Sequence, residues 1–188
     1  MSRFSGCWVA LKLTGDTVDT TASIHVENIF FPIHLPVLNV SPPGGLNIRW
    51  PDPPLEQETR LINFKLPAAQ EFAYANNIDR ILVSTPQDRC GIMTTGKTYL
   101  DLKQALADLN LDDQTLQKLG VRIYKVGLTW PMEPKRLKEF ADGLQTILVV
   151  EEKRSFIETQ AKEILFNEKA VRIFGKTNLD QTPLLPAT

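Results

Sequence analysis

Apolar residues recur along the second half of the chain in a strand–helix–strand rhythm. Ile81-Leu-Val83 and Cys90–Thr94 are short apolar runs of strand length. A helical stripe follows at Tyr99, Leu102, Leu106 and Leu109, spaced three to four apart. Asp112–Leu119 reads as a second helix, with Asp at its start and Gly120 just past its end. Val121–Val126 predicts the next strand. Pro134 suits a first helical position, and Leu137, Phe140 and Leu144 supply that helix's buried face. Thr146–Val150 is a continuous apolar run fit for burial on both sides. Ser155-Phe-Ile-Glu158 has the spacing of a capping box, opening a helix that buries Ile157, Ala161 and Ile164. Val171–Phe174 adds a last strand. Strands alternating with helices predict a mostly parallel α/β sheet of about five strands, with helices on both faces.

The first part of the chain has another texture. Trp8-Val-Ala-Leu-Lys-Leu13 reads as a strand or a helical turn without a start signal. Between Phe31 and Pro54 lie Pro32, Pro36, Pro42, Pro43, Pro51, Pro53 and Pro54, with Gly44-Gly45 among them. Proline fixes φ and removes a donor, so this run is an extended, irregular arm. Leu55–Asn76 regains helical spacing at Leu61, Phe64, Ala68 and Phe72, with Pro67 expected to kink or break it.

Composition narrows the function classes. The chain has 188 residues, 43% hydrophobic, with a net charge of −1. A near-neutral surface argues against nucleic acid as a partner. The longest apolar run, Ile147–Val150, is far too short to cross a membrane, and no secretory leader opens the chain. Cys7 and Cys90 form neither a C-x-x-C motif nor a disulfide framework, so a reduced cytoplasmic setting is expected. His25 and His34 sit in no metal-ligand spacing, and no metal site is expected. No Ser or Cys has a His in a recognised nucleophile–base spacing.

One motif points to a specific chemistry. Gly91-Ile-Met-Thr-Thr-Gly-Lys-Thr98 matches the phosphate-cradling pattern G-x-x-x-x-G-K-[ST], the signature of a P-loop NTPase or small kinase. Such a loop needs a strand ending before its first Gly. Here Thr85–Cys90 is polar and contains Pro86, while Ile92 and Met93 fall inside the supposed loop. The alternative parsing is a strand over Cys90–Thr94, a turn at Thr95-Gly96 and a helix from Lys97 or Thr98. Ile147–Glu152, four apolar residues before two acids, mimics the strand that holds magnesium in such enzymes, and equally any buried parallel strand with solvated carboxylates beyond it. Because the carboxyl ends of strands face ligands or partners in open α/β sheets, Thr94, Thr95, Gly96, Lys97, Thr98, Glu151, Glu152 and Lys153 are the candidate edge for a ligand or a neighbouring domain. Lys97, at the positive end of a helix dipole, calls for an anion, a carboxylate or open water. Trp50 and Trp130, each directly before Pro, read as packed aromatics or as anchors for another surface.

Four segments together carry a family resemblance: Arg3–Lys12, Pro43–Asp52, Gly91–Asp101 and Ile147–Arg154. In this order and spacing the chain resembles indolepyruvate ferredoxin oxidoreductase in its long fused form. The resemblance implies an internal segment of an enzyme that decarboxylates aryl 2-oxoacids such as indolepyruvate. That enzyme uses thiamine pyrophosphate, magnesium, 4Fe-4S clusters, coenzyme A and ferredoxin. It further implies a flavodoxin-like fold related to the transketolase C-terminal domain over residues 55–188. Residues 1–54 would be the end of a preceding thiamine-binding domain and its Pro-rich linker. The family's G-D-G diphosphate motif and its cluster-binding C-x-x-C runs are absent, so none of its cofactor residues maps onto this chain. The expectation is a structural domain, without a cofactor and inactive alone, whose partners are the other domains of the parent enzyme, or a second copy of itself.

Overall fold

The structure, a computed structural model, describes residues 1–21, 23, 31–39, 41–47, 50, 52–168, 171–178, 182 and 183. His25 and most of the tail beyond Asn178 lie outside the described residues. The chain forms two compact units, Met1–Asn76 and Asn77–Thr188.

In the first unit, short helices α1 (Ser2–Ser5) and α2 (Gly15–Val18) precede a longer helical stretch. That stretch begins with α3 (Pro54–Arg60), continues through five residues of π-helix (Leu61–Lys65) and ends as α4 (Leu66–Ala75). Pro67 neither breaks nor ends it. Pro67 cannot donate to a carbonyl one turn back, and the wider π turn immediately before it absorbs the irregularity. Phe72 on α4 packs against Phe4, with ring centroids 5.7 Å apart. Arg60 holds the Pro-rich arm, donating through Nη1 to the carbonyls of Gly45 at 2.7 Å and Pro43 at 3.2 Å. Trp8–Leu13 forms neither strand nor helix, because its apolar side chains point into solvent and find no partner strand among the described residues.

In the second unit, five strands form one sheet in the order β1-β3-β2-β4-β5. They are β1 (Arg80–Val83), β2 (Cys90–Thr95), β3 (Val121–Val126), β4 (Thr146–Val150) and β5 (Arg172–Phe174). β1 runs antiparallel on the β3 edge and the other four are parallel. Helices α5 (Lys97–Asp108) and α6 (Asp113–Leu119) cover one face, with Leu106 and Leu116 packing against Val83 and Ile123. Helices α7 (Pro134–Ala141) and α8 (Ile157–Ile164) cover the other, where Leu137, Phe140, Ile157 and Ala161 enclose Met93, Tyr124, Ile147, Val149 and Ile173. The expected three-layer, mostly parallel sheet is the observed one.

Asp112 caps α6 by accepting the Thr115 N–H at 2.8 Å, and Gly120 ends it in the left-handed region at φ 70°. Elsewhere the structure corrects the sequence reading. Leu109 lies at the end of α5 and is exposed, so the helix buries a shorter stripe than its spacing implies. Trp50 and Trp130 are exposed rather than packed. Ser155 and Glu158 make no capping box, for a reason that belongs to the sheet edge described next.

Candidate functional site

β2 lies between β3 and β4, its successors along the chain, which flank it on opposite sides. The crossovers from β2 and β3 thus lead to opposite sides of β2, which makes the carboxyl ends of β2 and β4 the switch point of the sheet. Thr94, Thr95, Gly96, Lys97 and Thr98 come from the β2 side of this point, and Glu151, Glu152 and Lys153 from the β4 side.

At this point the chain's own side chains join the strand ends. Thr98 Oγ1 lies 3.0 Å from the Val150 carbonyl and 2.6 Å from that of Thr95, joining the end of β4 to the end of β2. A hydroxyl has one proton, so Thr98 serves one carbonyl at a time, and the buried Thr94 hydroxyl, 2.8 Å away, donates to it. Thr95 Oγ1 donates to the Val126 carbonyl at 3.0 Å, tying in the end of β3. Gly96 leads into α5 with φ 54° and ψ −131°, and a Cβ there would meet nothing within 4 Å. Lys97 is paired one turn along its helix with Asp101, Nζ to Oδ1 3.0 Å.

Glu151 is not a solvated carboxylate. It turns inward and closes the N-terminus of α8, with Oε2 accepting the N–H groups of Phe156 and Ile157 at 2.9 Å each and Oε1 that of Glu158 at 3.1 Å. This replaces the expected capping box, since the donors that Ser155 would have served are already taken. Glu158 is free to turn away, and it accepts from Lys176 N at 2.8 Å and pairs with Lys162. Glu152 and Lys153 are exposed beyond β4, with Lys153 at φ 57°.

The phosphate-loop reading does not survive this geometry. Cys90–Thr95 is a strand in register with both neighbours, so its backbone is committed to the sheet and cannot wrap a phosphate. Gly91 is small because Phe140 packs on it: a Cβ there would lie 2.5 Å from Phe140 Cζ and 2.6 Å from Leu144 Cδ1.

Sequence reasoning missed two buried polar clusters, one at each end of β3. Asp79, just before β1, accepts the N–H groups of Gly127 at 2.7 Å and Leu128 at 2.8 Å and the Tyr124 hydroxyl at 3.0 Å. Burial pushes its carboxyl above the usual range, against those hydrogen bonds and the nearby Arg136. Glu133 caps α7 through the N–H groups of Lys135 and Arg136, each at 2.7 Å, and burial pushes it up as well, with the Asp79 charge adding to the effect. The Tyr124 hydroxyl is raised by burial and by Asp79. At the amino ends of β2 and β3, Asp88 accepts from Arg122 Nε at 3.0 Å and from the Thr85 hydroxyl at 2.6 Å. Burial would raise Asp88, but the Thr85 and Arg122 donors outweigh it and hold the carboxyl below its ordinary range. Arg122 also donates to the carbonyls of Phe140 at 2.6 Å and Asp142 at 2.9 Å, closing the end of α7. The one signal in the sequence for these groups was their position, each polar residue beside a turn into or out of an apolar run.

Topology and side-chain contacts together define a doubly wound α/β domain whose switch point is tied together by its own side chains. Residues 80–188, more than half of the chain, match the indolepyruvate oxidoreductase domain family, and the chain belongs to that family. Curated relatives are similar to it. The indolepyruvate oxidoreductase subunit IorA of Pyrococcus horikoshii is 34% identical over 96 residues, covering 50% of this chain and 14% of that protein. The Thermococcus kodakarensis IorA is 35% identical over 85 residues, covering 45% and 12%, and that of Methanothermobacter marburgensis 28% over 113 residues, covering 60% and 17%. The chain thus spans well under a fifth of the length of these relatives. Among solved structures, similar chains include a split-gene transketolase in an inactive β4 tetramer, with TM-score 0.40, 17% identity and coverage of 53% of this chain and 32% of that one. Another is the 2-oxoglutarate:ferredoxin oxidoreductase of Magnetococcus marinus, with TM-score 0.37, 17% identity and coverage of 70% and 21%. No helix among the described residues is long and apolar enough to cross a membrane.

Proposed function

We propose that this chain is a non-catalytic, structural domain of a cytoplasmic indolepyruvate:ferredoxin oxidoreductase. The parent enzyme would oxidatively decarboxylate aryl 2-oxoacids with thiamine pyrophosphate, magnesium, 4Fe-4S clusters, coenzyme A and ferredoxin. Residues 1–54 would be the arm leading from the preceding thiamine-binding domain, and residues 55–188 the buttressing α/β domain. The exposed members of the sheet edge, from Gly96 and Lys97 to Glu152 and Lys153, would meet neighbouring domains.

The observation that carries this reading is the commitment of the edge's polar groups. The Thr94, Thr95 and Thr98 hydroxyls bind strand-end carbonyls and one another, and Glu151 binds three helix N–H groups. What the described residues offer argues against a site for the parent's cofactors in this segment. Cys7 and Cys90 belong to different units, and no group of three metal-ligating side chains occurs among the described residues. Buried Asp79, Asp88 and Glu133 are each taken up by protein donors. A thermal melt of the chain tests the reading with Mg-thiamine pyrophosphate, coenzyme A and Mg-ATP in separate samples. Ligand at a hundred times its dissociation constant would add about 2.7 kcal/mol. The expected result is an unchanged Tm with all three; a rise abolished by Lys97→Ala would overturn it.

A further inference from the structure

At the amino ends of β2 and β3 the second unit has a groove of about 880 Å³. It is lined by the turns that lead into β2, β3 and β4, at the end of the sheet opposite Thr98 and Glu151. Its volume falls in the range of small-ligand sites, roughly 300–1,000 Å³.

Arg122 lines this groove while only 8% exposed. Two of its three guanidinium nitrogens are committed: Nε donates to Asp88, and Nη1 to the carbonyls of Phe140 and Asp142. Asp88 is held in turn by the backbone N–H and the hydroxyl of Thr85, so the guanidinium plane is fixed. Nη2 has no hydrogen-bond partner among the described residues. It is not sealed in either, because the buried unpaired side-chain atoms among those residues are Asp52 Oδ2 and Arg60 Nε. Its two N–H groups are thus preorganised donors left for an acceptor that enters the groove. A guanidinium donor in so buried a setting is costly to leave unpaired, and an oxyanion is its strongest partner.

The surrounding charges set what kind of oxyanion fits. Asp88 neutralises Arg122, which therefore brings donors without net charge. Arg89 and Lys118 lie exposed on the lining and face one further acid, Asp142. Three cations and two acids leave an excess of one positive charge, which matches a monoanion. A phosphate ester carries about 1.5 to 2 negative charges and would set its surplus against Asp142. The side-chain amides of Gln87, Gln117 and Gln145 add neutral donors and acceptors suited to hydroxyl or carbonyl groups.

We propose that this groove binds a small, hydrophilic monocarboxylate, its carboxylate received by Arg122 Nη2 and drawn in by Arg89 and Lys118. The inference goes beyond the structural role proposed above and does not rest on it, since that role concerns the carboxyl ends of the strands.

Lactate is a probe of this class, and amide NMR of the isotope-labelled chain at low ionic strength reads its binding. Saturable shifts are expected at the backbone N–H groups of Lys118, Gly120, Gly143 and Gln145, with sodium chloride at equal ionic strength as the blank. Lys118→Glu, at an exposed position, should weaken binding roughly tenfold by reversing a nearby charge, and Asp142→Asn should tighten it. Neither substitution touches the hydrogen bonds of Arg122, so both keep the test independent of folding. An absence of saturation in the millimolar range would overturn the proposal. So would binding that Lys118→Glu leaves unchanged, or inorganic phosphate acting on the same signals more tightly than lactate.

Discussion

Glu151 Oε2 accepts the Ile157 backbone N–H at 2.9 Å, so the first residue beyond β4 also caps α8. Strand and helix are thereby fastened by one carboxylate that accepts three N–H groups in a buried setting. Glu151→Ala should cost about 1–3 kcal/mol, because it leaves helix-end donors unpaired. Glu151→Gln, whose amide oxygen still accepts, should lose clearly less. Urea unfolding of both variants measures this, and equal losses would show that the cap is not what Glu151 supplies.

Asp79 predicts a pH signature. Its folded pKa is raised above the ordinary value of 3.8, so through that window the native chain holds more protons than the unfolded one. Stability therefore falls as pH rises through the window, and Glu133 acts in the same sense. Asp79→Asn keeps an oxygen for Gly127 and Leu128 but removes the charge. It should match or exceed the parent protein in stability near neutral pH and lose that advantage in acid. An advantage or deficit that stays constant with pH would rule out this account.

Asp88 carries the opposite signature. Its folded pKa is lowered, so its carboxylate contributes stability that is present above 3.8 and lost as pH falls through the folded value. Asp88→Asn should cost about 3 kcal/mol at neutral pH by leaving the Arg122 charge without its carboxylate. The deficit should shrink on acidification. Unfolding free energies of the two asparagine variants on one pH axis should diverge at neutral pH and approach each other in acid.

Gly91 and Lys97 separate packing from phosphate binding. Gly91→Ala inserts a methyl group against Phe140 and Leu144 and should cost about 1–3 kcal/mol. Lys97→Ala removes an exposed ion pair and should change stability by no more than about 0.5 kcal/mol. A phosphate loop would reverse the emphasis, with Lys97 mattering most and only in the presence of nucleotide.

Local patterning made the sheet legible, since Thr146–Val150 is a short, β-branched apolar run and Val121–Val126 is short and rich in β-branched and aromatic residues. Asp112, Gly120 and Pro134 announced helix ends by chemistry that acts over one turn. The adjacency of the β2 and β4 ends was legible too, because a continuous apolar strand belongs in a sheet interior. What each edge side chain does was not. Ser155 and Glu158 made the stronger local cap signal, and Glu151 displaced it from outside the helix through a tertiary contact. Glu133 was overlooked because Glu is a poor cap by propensity, and here burial against the sheet overrides that preference. The π turn before Pro67 has no periodic signature at all.

The void filled by the Phe140 ring has a consequence for how β2 finds its place between two parallel neighbours. Side chains alternate along a strand, so a slip by one residue would bring Cys90 or Ile92 beneath that ring instead of Gly91. Neither fits. Only one alignment of the central strand lets α7 settle on the sheet, and a missing side chain acts as the notch that sets it.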